Sequence, residues 1–495
     1  MSKIYNQTGG IRPGRSVFDL SYEKKFDCDM GQLIPVMCDE VVPGDIFKIG
    51  NEIVIRFQPL VAPILHEINA FVHYFFVPYR ILDEDFEEFI TGGVDGASAV
   101  TLPRWEPTNT AIGSLWDYFG FPTGVNPVGA YPLQYPLNAY NTIWNEYYRD
   151  QNLQAEVAID QETILLRAWE KDYFTSSLPF QQRGTAPAMP VTIVGADRDV
   201  KVYSEIDATA RKLQAVASSH GTMPTAIVAS NYAAATSDIR WSDPALESVT
   251  FDVADLRLAF QIQKWMERNA RAGVRYTEFL RSHFGVSPRD ERLDRPEYIG
   301  GSRSPVNVSE VLKTSSTDAT SPQGNLAGHG LTADQNFIAS YHVQEYGLII
   351  GIMSVMPRSA YQQGIDRQWL RRTRYDFYFP EFANLSEQAV ETAEIYATGV
   401  SAENRTIFGY QGRYNEMRKK QSQVCGNLRD TLDFWHLGRQ FASSPLLNAS
   451  FIQCVPRKDV FAVTNKPGLV VNIGNNIKAI RPLPYISEPG LIDHN

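Results

Sequence analysis

Hydrophobic and polar positions alternate most clearly near the start of the chain. Ile53, Ile55 and Phe57 lie on one side of a period-2 pattern, and Val54, Arg56 and Gln58 lie on the other. That is the pattern of a strand with one face more buried than the other. Residues 69–77 are apolar on both faces, as a central strand covered from each side must be. Pro59, Pro63 and Pro78 end these ladders, because proline offers no amide donor. Strand patterning returns after residue 337, over 341–356, 375–379, 451–455, 460–463 and 469–473. The section between reads differently. Residues 83–90 carry acids ahead of apolar positions and predict a short helix with Asp and Glu at its favourable end. Residues 103–140 mix Pro, Gly and aromatics. They read as an ordered loop that packs through Trp105, Trp116, Tyr118, Phe119 and Phe121. A longer helix begins at Asp252, where Asp252 and Asp255 resemble a capping box, and ends near Gly273. Its apolar positions, Leu256 to Met266, cover a wide arc, which predicts burial between neighbours or subunits. Strands at both ends with excursions between them imply one sandwich closed by distant halves of the chain.

Composition agrees with this reading. At 495 residues, 43% hydrophobic and 21% charged, the chain is globular and long enough for several domains or one core with large insertions. Its 29 Pro, 34 Gly and 12% aromatic residues favour short strands and turns over helix bundles. No apolar run approaches the roughly 20 residues that span a bilayer. The polar start lacks a signal-peptide core, so the chain is expected to stay where it is made. Cys28, Cys38, Cys425 and Cys454 show no metal-ligand spacing and are expected as buried thiols, with a Cys28–Cys38 bridge left open by spacing alone.

Charge is unevenly spread. Residues 405–481 hold 12 Lys/Arg and 4 Asp/Glu, a balance of +8, so a chain of net −10 carries about −18 elsewhere. Such a split suits a shell wall with cations toward an enclosed polyanion, or else charges scattered over all faces. Two basic runs interleaved with aromatics are candidate nucleic-acid contacts. One is Arg371, Arg372 and Arg374 beside Tyr375; the other is Arg413, Arg418, Lys419 and Lys420 around Tyr414. Rings of this kind stack on bases while cations meet phosphates. The alternative is a solvated or interface face that pairs with acids of another subunit. No catalytic, cofactor or metal residues are identified. His66-Glu67 has Ala70 where a zinc-protease motif requires its second histidine, and neither a nucleophile elbow nor a phosphate loop occurs.

Several segments bear a family resemblance. The run Leu256-Arg257-Leu258-Ala259-Phe260-Gln261-Ile262-Gln263-Lys264-Trp265 continues through Arg275-Tyr276-Thr277-Glu278-Phe279-Leu280-Arg281 to Arg295-Pro296-Glu297-Tyr298-Ile299-Gly300-Gly301. With Asp29-Met30-Gly31-Gln32-Leu33-Ile34-Pro35, Phe75-Phe76-Val77-Pro78-Tyr79-Arg80, Ser321-Pro322-Gln323-Gly324-Asn325 and Gly409-Tyr410-Gln411-Gly412-Arg413-Tyr414, it resembles the major capsid proteins of gokushovirus-like microviruses, small single-stranded DNA bacteriophages.

The resemblance implies a mainly β chain built as an eight-stranded antiparallel jelly-roll sandwich with long inter-strand insertions containing some helices. It implies a non-enzymatic coat of about 60 copies in an icosahedral T=1 shell. That shell would enclose a circular single-stranded DNA genome, with a small basic DNA-binding virion protein, pilot and scaffolding proteins and a host surface receptor as partners. The location would be the virion, assembled in the host bacterial cytoplasm without membrane insertion. On this reading residues 1–30 form an N-terminal arm at the interior or an interface, and 31–80 the first part of the jelly roll. Residues 81–336 hold the insertions, with 190–244 the surface protrusion, and 337–495 the second part and a basic C-terminal region. The rival reading is a carbohydrate-binding or carbohydrate-active jelly roll.

Overall fold

The computed structural model describes residues 14–93, 98–187, 201–203, 210–215, 227–229, 253–273, 275–312 and 326–486. The chain divides into two units, one of Met1–Gln181 with Ala270–Asn495 and the other of Gln182–Asn269. The strands of the larger unit are β1 (Ser16–Asp19), β2 (Tyr22–Cys28), β3 (Ile34–Val41), β4 (Ile46–Phe57) and β5 (Ile68–Pro78). The smaller unit holds β6 (Lys201–Tyr203), β7 (Ala210–Ala215) and β8 (Ile227–Ala229), which form an antiparallel sheet of their own. The larger unit resumes with β9 (Glu297–Pro305), β10 (Asn307–Leu312), β11 (Leu326–His342), β12 (Gly347–Pro357), β13 (Glu387–Glu391), β14 (Ile407–Gly412) and β15 (Leu469–Arg481).

Two antiparallel sheets organise the larger unit. One runs β1-β15-β4-β11-β10, with β2 also pairing β15; the other runs β3-β12-β5-β9. The alternation seen at residues 53–57 extends over all of β4: Phe47, Ile49, Ile53, Ile55 and Phe57 are buried, while Lys48, Glu52 and Arg56 are exposed. Its neighbour β15 repeats the pattern with Leu469, Val471, Ile473, Ile477 and Ala479 inward. These residues join Val36, Met37, Val72, Tyr74, Phe76 and Met353 of the second sheet in one hydrophobic cluster. The other face of that second sheet, through Phe75, Val77, Ile350 and Ile352, packs against Trp105, Trp116, Tyr135, Tyr140 and Trp144. Both faces of β5 and β12 are therefore covered, which explains why β12 is buried along its whole length. The aromatic segment expected as a loop over 103–140 is ordered by this packing but is partly helical: a one-turn helix, Leu115–Tyr118, is capped by Ser114, and residues from Tyr135 onward belong to the helix Tyr135–Ile143.

Three expected strands are absent. Over 375–379 the chain makes a 3-10 turn, Arg374–Asp376, because the Asp376 carboxylate accepts the amides of Arg372 (2.9 Å) and Thr373 (2.8 Å). Over 451–455 a helical turn, Ala449–Ile452, forms because the Asn448 side chain accepts from the Phe451 amide at 2.9 Å. Over 460–463 only an isolated bridge joins Phe461 to Leu60. The helix expected at 83–90 is Phe86–Thr91, with Glu87 and Glu88 in its first turn. The long helix is Val253–Ala272, followed by Gly273 at φ 102°. The capping role expected of Asp252 lies outside the described residues, as does most of 190–244. On that helix Leu258 is 58% and Phe260 67% exposed in the single chain. The cysteines are all free, but the expectation of buried thiols fails at Cys425, which is exposed. Among the described residues no helix is long and apolar enough to cross a membrane.

Candidate nucleic-acid interface

The two basic runs are brought together by Tyr414. It follows β14 at φ 61°, a conformation uncommon for a bulky side chain. Its ring is buried, and its hydroxyl donates to the Phe377 carbonyl at 3.0 Å. The adjacent Arg413 donates to the Tyr375 carbonyl at 2.9 Å, so the second run is stitched to the first by side chain to backbone bonds. The turn at Arg374–Asp376 then leaves Tyr375, Phe377, Tyr378 and Phe379 exposed, together with Trp369, which is 75% exposed.

The seven cations named from sequence divide into two groups. Four are engaged within the chain. Arg372 forms a two-pronged pair with Glu391 (2.8 and 2.6 Å), and these hydrogen bonds raise the pKa of its guanidinium. Arg371 lies 3.9 Å from the buried Glu416 carboxylate and 5.1 Å from the Phe377 ring. Lys420 pairs with Asp366 at 3.1 Å. Arg413 stacks on Tyr414 at 4.9 Å besides its bond to Tyr375. The other three, Arg374, Arg418 and Lys419, are exposed and have no carboxylate partner among the described residues. Arg374 lies over the Tyr375 ring at 4.9 Å and donates to its hydroxyl at 2.8 Å, so one cation and one ring form a preassembled unit.

Sequence reasoning found the cations and missed both what neutralises them and what extends the aromatic surface. Glu391, Glu416 and Asp366 lie on other segments of this same chain, whereas the alternative reading of the two runs, a solvated or interface face, draws such acids from another subunit. Trp369 was not singled out, although it stands two residues before the first run. A cavity of about 290 Å³ opens beside this surface, between Trp369, Lys419 and the buried rings of Phe174 and Tyr361. Below it the buried Glu394 is held by Arg367 (2.8 Å) and the Tyr173 hydroxyl (2.9 Å), yet desolvation still raises its pKa.

The sites considered for metal chemistry are otherwise engaged. His66 sits against the Arg358 carbonyl, and His73 bonds the Tyr148 hydroxyl at 2.8 Å. Burial beside Arg167 pushes the His73 imidazole down to about 4. No group of His, Cys, Asp or Glu fit to hold a metal ion occurs among the described residues. The arrangement offers stacking surfaces and fixed positive charge, the properties of a binding surface.

Comparison with known proteins gives this surface its context. The profile of the family described as Capsid protein (F protein) matches residues 7–491. The chain is 36% identical to Capsid protein VP1 of Chlamydia phage 1, covering 96% of each chain. It is 32% identical to Capsid protein VP1 of Bdellovibrio phage phiMH2K, over 98% of this chain and 97% of the relative. The same protein of Spiroplasma virus 4 is 32% identical, over 94% and 93%. Both units of the fold, the stacked sheets and the cationic surface all fall within these matches, and the chain belongs to the capsid protein (F protein) family of the microviruses.

Proposed function

We propose that this chain is the coat subunit of a small single-stranded DNA phage, about 60 copies of which close an icosahedral T=1 shell around a circular genome. The family match over residues 7–491 carries this reading. As a subunit it is an eight-stranded jelly-roll sandwich. Supporting that, β3-β12-β5-β9 and β15-β4-β11-β10 contribute four strands each and share one core, with β1 and β2 added to β15. Closure buries apolar surface between copies, and the exposed Leu258 and Phe260 are available for it.

The surface of Arg374, Arg418 and Lys419, with its exposed rings, contacts the enclosed DNA, while Arg371, Arg372, Arg413 and Lys420 hold that surface in shape. A coat of net −10 cannot neutralise a genome, so a small basic virion protein supplies the remaining charge. Pilot and scaffolding proteins assist assembly in the host bacterial cytoplasm. Residues 1–30 form an arm at the interior or an interface, with its β1 and β2 added to the β15 edge, and 31–80 with β9, β10 and 337–495 supply the jelly roll. Residues 81–336, apart from the strands β9, β10 and the start of β11 that belong to the two sheets, form the insertions, of which 190–244 make the protrusion that meets a host receptor. The carbohydrate-active reading is not favoured, since the family match leaves neither unit outside it.

The test is sedimentation of material from infected cells with absorbance recorded at both nucleic-acid and protein wavelengths. A sharp megadalton boundary rich in nucleic acid is expected. A persistent monomer would overturn the proposal.

A further inference from the structure

The surface that reads as a DNA contact ends in a cavity, and that cavity has properties a flat electrostatic contact does not need. Its volume, about 290 Å³, is at the small end for ligand sites, a size suited to one planar ring system. Phe174 and Tyr361 line it as buried rings, and Trp369 lines it while remaining mostly exposed. Two amides, Gln362 and Gln421, also line it. The Gln362 Oε1 acceptor and the Gln421 Nε2 donor are both buried with no hydrogen-bond partner. Buried polar atoms are rarely left in that state. An unmet acceptor and an unmet donor in one aromatic-lined cavity match the edge of a nucleobase, since every base presents both kinds of group.

The charges fit the same occupant. The acids lining the cavity are compensated: Glu394 by Arg367, Glu416 by Arg371, and Asp366 by Lys420. Lys419 also lines the cavity and has no carboxylate partner among the described residues; its neighbour Arg418 is likewise exposed. A base inserted beside Trp369 would leave its sugar and phosphate outside, where these cations lie.

We propose that the cavity lined by Trp369, Tyr361, Gln362 and Gln421 takes one unstacked base of the single-stranded genome, fixing the strand at one nucleotide per subunit. This rests on the DNA-contact reading of the adjoining surface and goes beyond it, because it requires recognition of a base in addition to the backbone. With one donor and one acceptor supplied by separate amides, all four bases are accommodated, as a coat wrapped around arbitrary sequence requires.

The full-length unassembled chain is titrated with an oligothymidylate of roughly eight nucleotides, a length within the usual site size for such surfaces. The same oligonucleotide carrying abasic sites throughout serves as the comparison. The intact strand is expected to bind about ten-fold more tightly or better. That advantage disappears in Trp369→Ala and in the Gln362→Leu/Gln421→Leu double variant and is largely retained in Trp369→Phe. Irradiation with a 5-iodouracil-substituted strand should place the crosslink on Trp369 or Tyr361. Equal binding of intact and abasic strands, both abolished by Arg418→Glu/Lys419→Glu, would overturn the base pocket while leaving the backbone contact standing. Absence of binding by either strand would overturn both. A crosslink mapped away from the cavity would overturn the pocket even if affinity fell in the variants.

Discussion

The core between the two sheets contains a polar bridge whose removal has a calculable cost. Asn51 of β4 and Asn475 of β15 are register partners, and both point into the core with no exposure. The Tyr74 hydroxyl of β5, in the opposite sheet, accepts from Asn51 Nδ2 at 3.3 Å and donates to Asn475 Oδ1 at 3.5 Å. Asn51 also donates to Ser302 Oγ at 3.1 Å, and Asn475 to the Val36 carbonyl at 3.0 Å. Tyr74→Phe removes two long bonds and leaves Asn475 Oδ1 without its donor, so the expected loss is about 1–2 kcal/mol. Asn475→Leu takes the side-chain donor from the Val36 carbonyl and leaves the Tyr74 hydroxyl proton without its acceptor, which should cost about 2–4 kcal/mol. In the double variant the hydroxyl no longer exists to be orphaned. The combined loss should therefore fall short of the sum by about 1 kcal/mol. Urea unfolding of the unassembled chain, followed by tryptophan fluorescence and circular dichroism together, measures all three. A neutral Tyr74→Phe, with a double variant that is strictly additive, would refute the claim that this bridge couples the sheets.

Three further outcomes follow from other parts of the larger unit. Burial pushes the Asp39 carboxyl up to about 6 despite the opposing pull of Arg481 and Lys24. The folded state therefore holds this proton more tightly than the unfolded one, and the contribution of Asp39 to stability declines as pH rises from about 4 to about 6. Unfolding free energies of wild type and Asp39→Asn should diverge by about 2–3 kcal/mol across that window in favour of the variant, and parallel curves would refute the assignment. Cys425 is exposed, whereas burial raises the Cys28 and Cys454 thiols well above their usual range and Cys38 to about 12. A thiol reagent should modify Cys425 alone in the native chain and all four cysteines after denaturation, with the sites read by mass spectrometry. Gly31 adopts φ 85°, and a Cβ there would lie 1.9 Å from the Cys454 carbonyl oxygen. Gly31→Ala should lower the thermal midpoint by many degrees or abolish soluble expression, while Gly113→Ala, at φ 79° but in open space, should be mild.

The legible parts of the fold were those written in local periodicity. Alternation at Ile53, Ile55 and Phe57 located β4, and apolar positions on both faces of residues 69–77 implied the two-sided packing of β5. Aromatic density alone marks residues 103–140 as packed structure, and their rings do join the cluster on the second sheet. What local patterns cannot carry is a partner far away in sequence. Asn51 and Asn475 occupy inward positions and look like interruptions of the pattern until they are seen to meet Tyr74. The misread strand at 375–379 has the same origin, because its aromatic content favours β structure but the Asp376 carboxylate folds the chain back on Arg372 and Thr373. At the candidate interface the residue types were right and their availability was not, since Glu391 is 19 residues from Arg372 and Asp366 is 54 from Lys420.

That difference between charge present and charge available leads to the sharpest quantitative test of the interface. Residues 405–481 carry a balance of +8, yet much of it is spent within the chain. Against acids outside that segment, Lys458 pairs with Asp29 (2.6 Å), Lys420 with Asp366 (3.1 Å), and Arg481 with the buried Asp45 (3.1 Å). Arg439 is committed to the Phe451 ring at 4.1 Å. Each phosphate neutralised on a single strand contributes about −0.7 to the slope of log affinity against log salt. If Arg374, Arg418 and Lys419 are the cations that meet phosphate, the slope for a short single strand is about −2; if all seven cations of the two runs take part, it is about −5. A slope near −2, reduced by about 0.7 in Lys419→Ala and unchanged in Arg372→Ala, is the expected result. A slope near −5 would mean that the ion pairs with Glu391, Glu416 and Asp366 open when DNA binds, and the division into holding and contacting cations would then be wrong.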